Sequence, residues 1–170
     1  MRIALFQPDI PQNTGTILRL CACLDAEAHI IEPAGFPITD RNFRRAGMDY
    51  LDRVRLVRHD SWRAFEQWRH GAGARLLLLT TSGERCYLEH RYRTDDVLLL
   101  GRESAGVPED VHVAADARLI IPMASGLRSL NVAMAAAIVL GEALRQTGSI
   151  AALAARSSAP ALAVAASKGA

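Results

Sequence analysis

Four consecutive leucines, Leu76–Leu79, stand inside an apolar stretch that runs from Arg75 to Thr80. A strand with one wet face alternates apolar and polar residues, whereas an unbroken apolar run needs cover on both faces. Val97–Leu100 and Arg118–Ile121 read the same way, and Arg2–Phe6 reads as a short buried strand. Ala28–Glu32 and Arg53–Val57 add two more strands. Helical patterns fall between them. One helix runs to about Leu24 with Asn13 or Thr14 as N-cap, and Asp40–Ala46 is a short basic helix. Ser61 caps a helix through about Arg69, stopped by Gly71-Ala-Gly73. A long C-terminal helix starts near Ser129 and runs to about Gln146, where Gly148 ends it. Strands alternating with helices predict an α/β fold: a mostly parallel sheet with helices on both faces.

Size agrees with one such domain, since the chain has 170 residues, half of them apolar. The domain is expected to span residues 1–149. Residues 150–170 differ in character: ten of these twenty-one are Ala, interrupted by Ser157-Ser158 and Pro160. This tail has little to bury and is predicted to be a frayed helix or disordered, outside the fold.

Several function classes drop out early. No run of about 18 apolar residues occurs, so no membrane span is expected. Met1-Arg-Ile-Ala-Leu-Phe leads directly into a strand pattern, without the apolar core of a secretory leader. Cys21, Cys23 and Cys86 are odd in number and lack zinc-knuckle spacing, which predicts reduced thiols in a cytoplasmic protein. His29, His59, His70, His90 and His112 are scattered without a metal-binding spacing, so no metal is expected. No Gly-x-Ser-x-Gly elbow supports a serine triad.

Three loops, each following a strand, concentrate the unusual residues. Ligands of open parallel sheets bind outside the carboxyl ends of the strands. The first loop, Gln7–Gly15, is polar and turn-rich; Asn13 can brace it, and Arg19 lies about one helical turn beyond. Taken alone, Arg19 reads as a surface arginine. The second, Gly101-Arg-Glu-Ser-Ala-Gly106, brackets Glu103 with glycines that allow close backbone approach. It is neither a dinucleotide fingerprint nor a P-loop. The third joins Ile121-Pro-Met123 to Arg128-Ser-Leu-Asn131, where a helix N-terminus offers unpaired N–H groups. Ser129 there reads either as a ligand contact or as a plain N-cap.

The net charge of +2 is uninformative, but nineteen of the twenty basic residues are Arg, Lys168 being the exception. Arg41, Arg44, Arg45, Arg53, Arg55 and Arg58 cluster within eighteen positions. They form either a solvated face or a phosphate-contacting patch.

The three loops, in this order and spacing, resemble the SPOUT superfamily of RNA methyltransferases. Within it the chain is similar to the small tRNA 2′-O-methyltransferases acting on the cytidine or uridine at the anticodon wobble position. The matching stretches are Ile10–Ala22, His29–Phe36, Arg44–Tyr50, Leu79-Thr-Thr, Gly101–Gly106, Ile121-Pro-Met and Arg128–Asn131. The resemblance covers about residues 1–147. Where this family commonly has Gly-Pro-Glu-Thr-Arg-Gly, Arg102, Ser104 and Ala105 depart from it. After Asn131, Val132-Ala-Met134 replaces Leu-Ser-Asn, and Gly141-Glu-Ala-Leu144 replaces Tyr-Glu-Ala-Trp.

The resemblance implies a C-terminal deep trefoil knot, a feature that pattern reading never proposes. It implies S-adenosylmethionine as methyl donor, S-adenosylhomocysteine as product, and a homodimer that binds tRNA near its interface. Leu79, Gly101, Ile121 and Ser129 are the expected cofactor-binding residues. Arg19, Glu103, Ser129 and Asn131 are the expected catalytic residues, and Asn13, Arg41, Arg44 and Arg45 the expected RNA contacts. Ribose methylation needs a 2′-oxygen in line with an electrophilic methyl group, and no metal. Arg19 is expected to steer the adjacent phosphate; its high pKa argues against a role as base. Two alternatives keep the fold: methylation of another tRNA or rRNA ribose, or a non-catalytic RNA-binding module.

Overall fold

The computed structural model describes residues 1–38 and 53–158. The predicted helix Asp40–Ala46, with Arg41, Arg44 and Arg45, lies outside the described residues. The described strands are β1 (Arg2–Phe6), β2 (Glu27–Ile31), β3 (Arg55–His59), β4 (Leu76–Leu79), β5 (Arg85–Cys86), β6 (Val97–Leu100) and β7 (Ala117–Ile120). They form one sheet in the order β3-β2-β1-β6-β4-β7-β5. Every pairing in it is parallel.

The register shows how the leucine runs fill two cores. Ile3 pairs with Ala28 and Leu98, and Leu98 with Leu77, so this row faces one side. It packs under α1 (Pro11–Leu24) and α4 (Val132–Gln146), against Ile17, Leu18, Ala136 and Leu140. The neighbouring row, Ala4, Leu99 and Leu78, faces the other side. It meets Phe65 of α2 (Trp62–Gly71) and Val111 of α3 (Glu109–Ala114). Successive leucines therefore serve opposite cores, each burial contributing roughly 1.5–3 kcal/mol.

The ends of the elements follow local chemistry. Ser61 is the N-cap of α2, and its Oγ accepts the Ala64 N–H at 3.2 Å. Helix α1 starts earlier than predicted, at Pro11 rather than after an Asn13 or Thr14 cap. Proline presets the helical φ and needs no N–H partner, so it opens the helix and frees Asn13 from capping. Helix α4 starts later than predicted, capped by Asn131 rather than Ser129. Arg53–Val57 was the expected third strand; pairing with β2 shifts it to Arg55–His59. Three elements carried no sequence signal: the two-residue β5, the 3-10 turn Tyr87–Glu89 and the six-residue α3.

The alanine-rich segment opens with a helix, α5 (Ser149–Ser158). Arg156 donates to Asp25 Oδ2 at 2.9 Å, tying α5 to the residue that ends α1. Among the described residues no helix is long and apolar enough to cross a membrane.

Candidate functional site

The loops after β4, β6 and β7 close with the first turn of α1 over a cavity of about 650 Å³. All leave the carboxyl ends of parallel strands. The winding of the sheet explains the position: β2 and β3 lie on one side of β1, while β6, β4, β7 and β5 lie on the other. Loops diverge at such a reversal and leave a crevice. Leu78, Leu100 and Leu119 contribute an apolar floor, and Asn13, Glu103, Ser129 and Asn131 a polar rim.

The rim is wired in one direction. Glu103 Oε1 accepts from Asn13 Nδ2 at 3.0 Å. That donation leaves Asn13 Oδ1 free to accept from Asn131 Nδ2, also at 3.0 Å. Asn131 Oδ1 in turn accepts the first free N–H groups of α4, from Ala133 at 2.9 Å and Met134 at 3.3 Å. A carboxylate can only accept, so the orientation of Glu103 sets both amides after it.

The Glu103 loop is shaped by its glycines. Residues Arg102 and Gly106 exchange backbone hydrogen bonds of 2.9 Å each way, closing the turn. A Cβ on Gly101 would come within 2.7 Å of the Gly106 carbonyl carbon, and Gly106 itself has φ +67°, so both positions require glycine. Burial pushes the Glu103 carboxyl above the ordinary range, and a hydrogen bond with Asp9 adds to the shift. The same bond, with help from Ser104, holds Asp9 well below it.

The structure brings Leu79, Gly101, Ile121, Ser129, Glu103, Asn131 and Asn13 to one cavity. Arg19 is not among its lining residues and stands on the exposed side of α1. It is six positions past Asn13, and about 100° per residue turns it to another face. Arg41, Arg44 and Arg45 lie outside the described residues. Sequence reasoning missed Asp9, whose carboxylate is contacted by Arg102, Ser104 and the Glu103 N–H, and His112, which lines the cavity. The only signal for Asp9 was its place in the first loop, where a turn residue reads the same.

The cavity fits S-adenosylmethionine chemically. It is within the usual size for small-molecule sites and pairs an apolar floor with a few convergent polar groups. The Glu103 carboxyl offers an acceptor for a cationic ligand, and the glycine turn brings backbone to the cavity wall.

Comparison with known proteins gives one consistent answer. The profile of the SpoU rRNA Methylase family matches residues 1–141. A tRNA (cytidine(34)-2′-O)-methyltransferase of Beijerinckia indica is 64% identical over 149 residues, covering 88% of this chain and 93% of the relative. A solved structure concerned with the 2-OH methylation of C/U34 on tRNA is 41% identical, with a TM-score of 0.80. It covers 85% of this chain and 94% of the other. The SpoU methyltransferase AviRb of Streptomyces viridochromogenes, in complex with the cofactor AdoMet, is 28% identical with a TM-score of 0.76. That match covers 86% of this chain and 60% of AviRb.

Proposed function

The chain belongs to the SpoU rRNA Methylase family, and from that premise we propose that it is a tRNA 2′-O-methyltransferase acting on the cytidine or uridine at wobble position 34. The observation that carries this reading is the 64% identity to a tRNA (cytidine(34)-2′-O)-methyltransferase across nearly the whole of both proteins. A tRNA substrate agrees with a cytoplasmic location.

S-adenosylmethionine, when bound, supplies an electrophilic methyl group on a sulfonium centre, so no metal is called for. Leu79, Gly101 and Ile121 would hold it, with Ser129 at the rim. Asn13, Glu103 and Asn131 fix the first turn of α4 beside the cavity, and its positive end favours an anionic group of the RNA. Ser129 and Asn131 would order the target ribose, and the leucine floor excludes water beneath it.

Arg19 would orient the phosphate next to the target ribose with its planar fork. Its distance from the cavity of its own chain supports a site completed between two copies. The exposed apolar residues Met134, Ile138 and Leu130 support such a homodimer, being on or just before α4, whose other face is buried. The knot belongs to the same reading. It is supported by β6 and β7 flanking β4, which draws the loops after all three strands to one point. Arg41, Arg44 and Arg45 would extend the RNA contact through phosphates.

The test is transfer from labelled S-adenosylmethionine to tRNA, with the methylated ribose mapped by nuclease digestion and mass spectrometry. Modification at nucleotide 34, persisting in EDTA, is the expected result. Label in another tRNA nucleotide or in rRNA would overturn the assigned target, and no transfer to any RNA would overturn the enzyme.

A further inference from the structure

Asp9 lies in the first loop, ahead of α1, and takes part in more cross-loop bonds than any rim residue named above. Its Oδ1 accepts the Glu103 N–H at 3.1 Å, and its Oδ2 accepts the Ser104 N–H at 3.3 Å and the Ser104 hydroxyl. Its own N–H donates to Glu103 Oε2 at 3.3 Å. The backbone of each residue thus binds the carboxyl of the other, 94 positions away. Arg102 brings its Nε to 3.6 Å from Oδ2, the only charge of opposite sign among these contacts. From the third side Gly35, in the loop after β2, packs so closely that a Cβ there would stand 3.0 Å from the Asp9 Cα.

We propose that Asp9 is a positioning residue for methyl transfer: it clamps the Glu103 loop to the first loop and so sets the Glu103–Asn13–Asn131 chain. The clamp uses Ser104 and Arg102, two of the positions where this chain departs from the Gly-Pro-Glu-Thr-Arg-Gly pattern. Asp9 is absent from the cavity wall. It acts through Glu103, whose Oε2 it holds while Oε1 remains for Asn13. An amide at position 9 cannot replace it. One of its two ends becomes a donor and meets the N–H of Glu103 or of Ser104.

This inference rests on the cavity being the methyl-transfer site, and the experiment separates the two. The parent, Asp9→Asn, Glu103→Gln and the double variant are compared in single-turnover transfer to tRNA, with cofactor affinity from calorimetry and melting temperature from thermal denaturation. Asp9→Asn is expected to lower the transfer rate at saturating substrates by ~30-fold or more, with the tRNA KM within about 3-fold. In the Glu103→Gln background the same change should cost less than about 3-fold in rate and in cofactor Kd, because the residue it acts through is already altered. Asp9→Glu, which keeps the carboxylate, should recover most of the rate. Full additivity of the two changes would overturn the proposal, as would a folded Asp9→Asn protein with parental turnover. If Asp9→Asn does not fold, Ser104→Ala removes one bond to the same carboxylate and must show the same non-additivity. A parent that neither binds the cofactor nor transfers methyl would instead overturn the function proposed for the cavity.

Discussion

The two ends of the sheet treat their carboxylates in opposite ways. At the amino ends of the strands, Asp96 is fully buried and meets a cation: Arg75 reaches its two oxygens at 2.8 Å each, and the Arg93 N–H adds a third bond of 2.8 Å. Arg69, 6% exposed, is likewise enclosed by Glu66 at 2.6 Å and Asp116 at 3.2 Å. At the carboxyl ends, Glu103 meets another acidic residue, Asp9, and the Asn13 amide, beside a cavity. The first arrangement satisfies every charge within the protein, so its work is stability. The second sets carboxylates and amides along the rim of a cavity, and such sites are where chemistry is placed.

The largest effect should come from breaking the closed end. Asp96→Ala leaves the Arg75 guanidinium with only the Arg91 carbonyl, at 3.0 Å, and takes the acceptor from the Arg93 N–H, at a cost of about 3–5 kcal/mol. A fall in melting temperature of roughly 10 °C is expected, with activity per folded molecule within about 2-fold. An equal loss of turnover in the folded fraction would erase the distinction between the two ends.

The converse change belongs to the open side of the molecule. Arg19→Ala should lower kcat/KM on tRNA by ~10²-fold, about 2.7 kcal/mol of transition-state stabilisation, with melting temperature and cofactor affinity nearly parental. Arg19→Lys keeps charge without the planar fork and should recover only part. Near-normal turnover of Arg19→Ala would return this residue to an ordinary surface arginine.

A third environment sharpens the comparison from the α2 face. His29 is fully buried; its Nδ1 lies 2.9 Å from His59 Nε2 and its Nε2 2.8 Å from Glu27 Oε1. Burial lowers the His29 pKa to about 4, and that of His59 falls for the same reason. The unfolded chain, with histidine near its ordinary value of about 6.5, therefore binds more protons between those limits. Stability is complete above pH ~6.5 and declines as pH falls toward ~4, by roughly 3 kcal/mol. Urea titrations across this range should show the slope, and His29→Gln should flatten it.

The smallest effects compare one capping bond in two places. Ser61→Ala removes the bond to Ala64 N–H and should cost about 1 kcal/mol, leaving turnover unchanged. Asn131→Ala removes a similar cap of α4 at a similar cost, but also cuts the chain through Asn13 to Glu103. It should lower turnover by ~10-fold or more. Matching losses of stability with unequal losses of rate would show that the rim network serves catalysis.

Much of this was open to reading along the chain. Strands 2–6 and 97–100 and the Ser61 cap rest on neighbours in sequence, and all were predicted where they stand. The three loops were also marked, since glycine, asparagine and a lone acid after an apolar run carry their own signal. The start of α1 was misread because Asn13 looks like a cap, and its true partners, Glu103 and Asn131, are 90 and 118 residues away. Asp9 was passed over for the same reason. Helix α3 and β5 are too short for a period to show.

By itself, then, the order of residues marked six of the seven described strands, that their sheet is parallel and covered on both faces, and which loops carry chemistry. Those properties follow from local steric preference and from the burial that each segment demands. Tertiary structure alone decided the strand order that inserts β6 between β1 and β4, and with it the meeting of Asp9, Glu103, Asn13 and Asn131. Hydrogen bonds and charge pairing act over a few ångströms of space, and no local pattern encodes which distant residue will stand there.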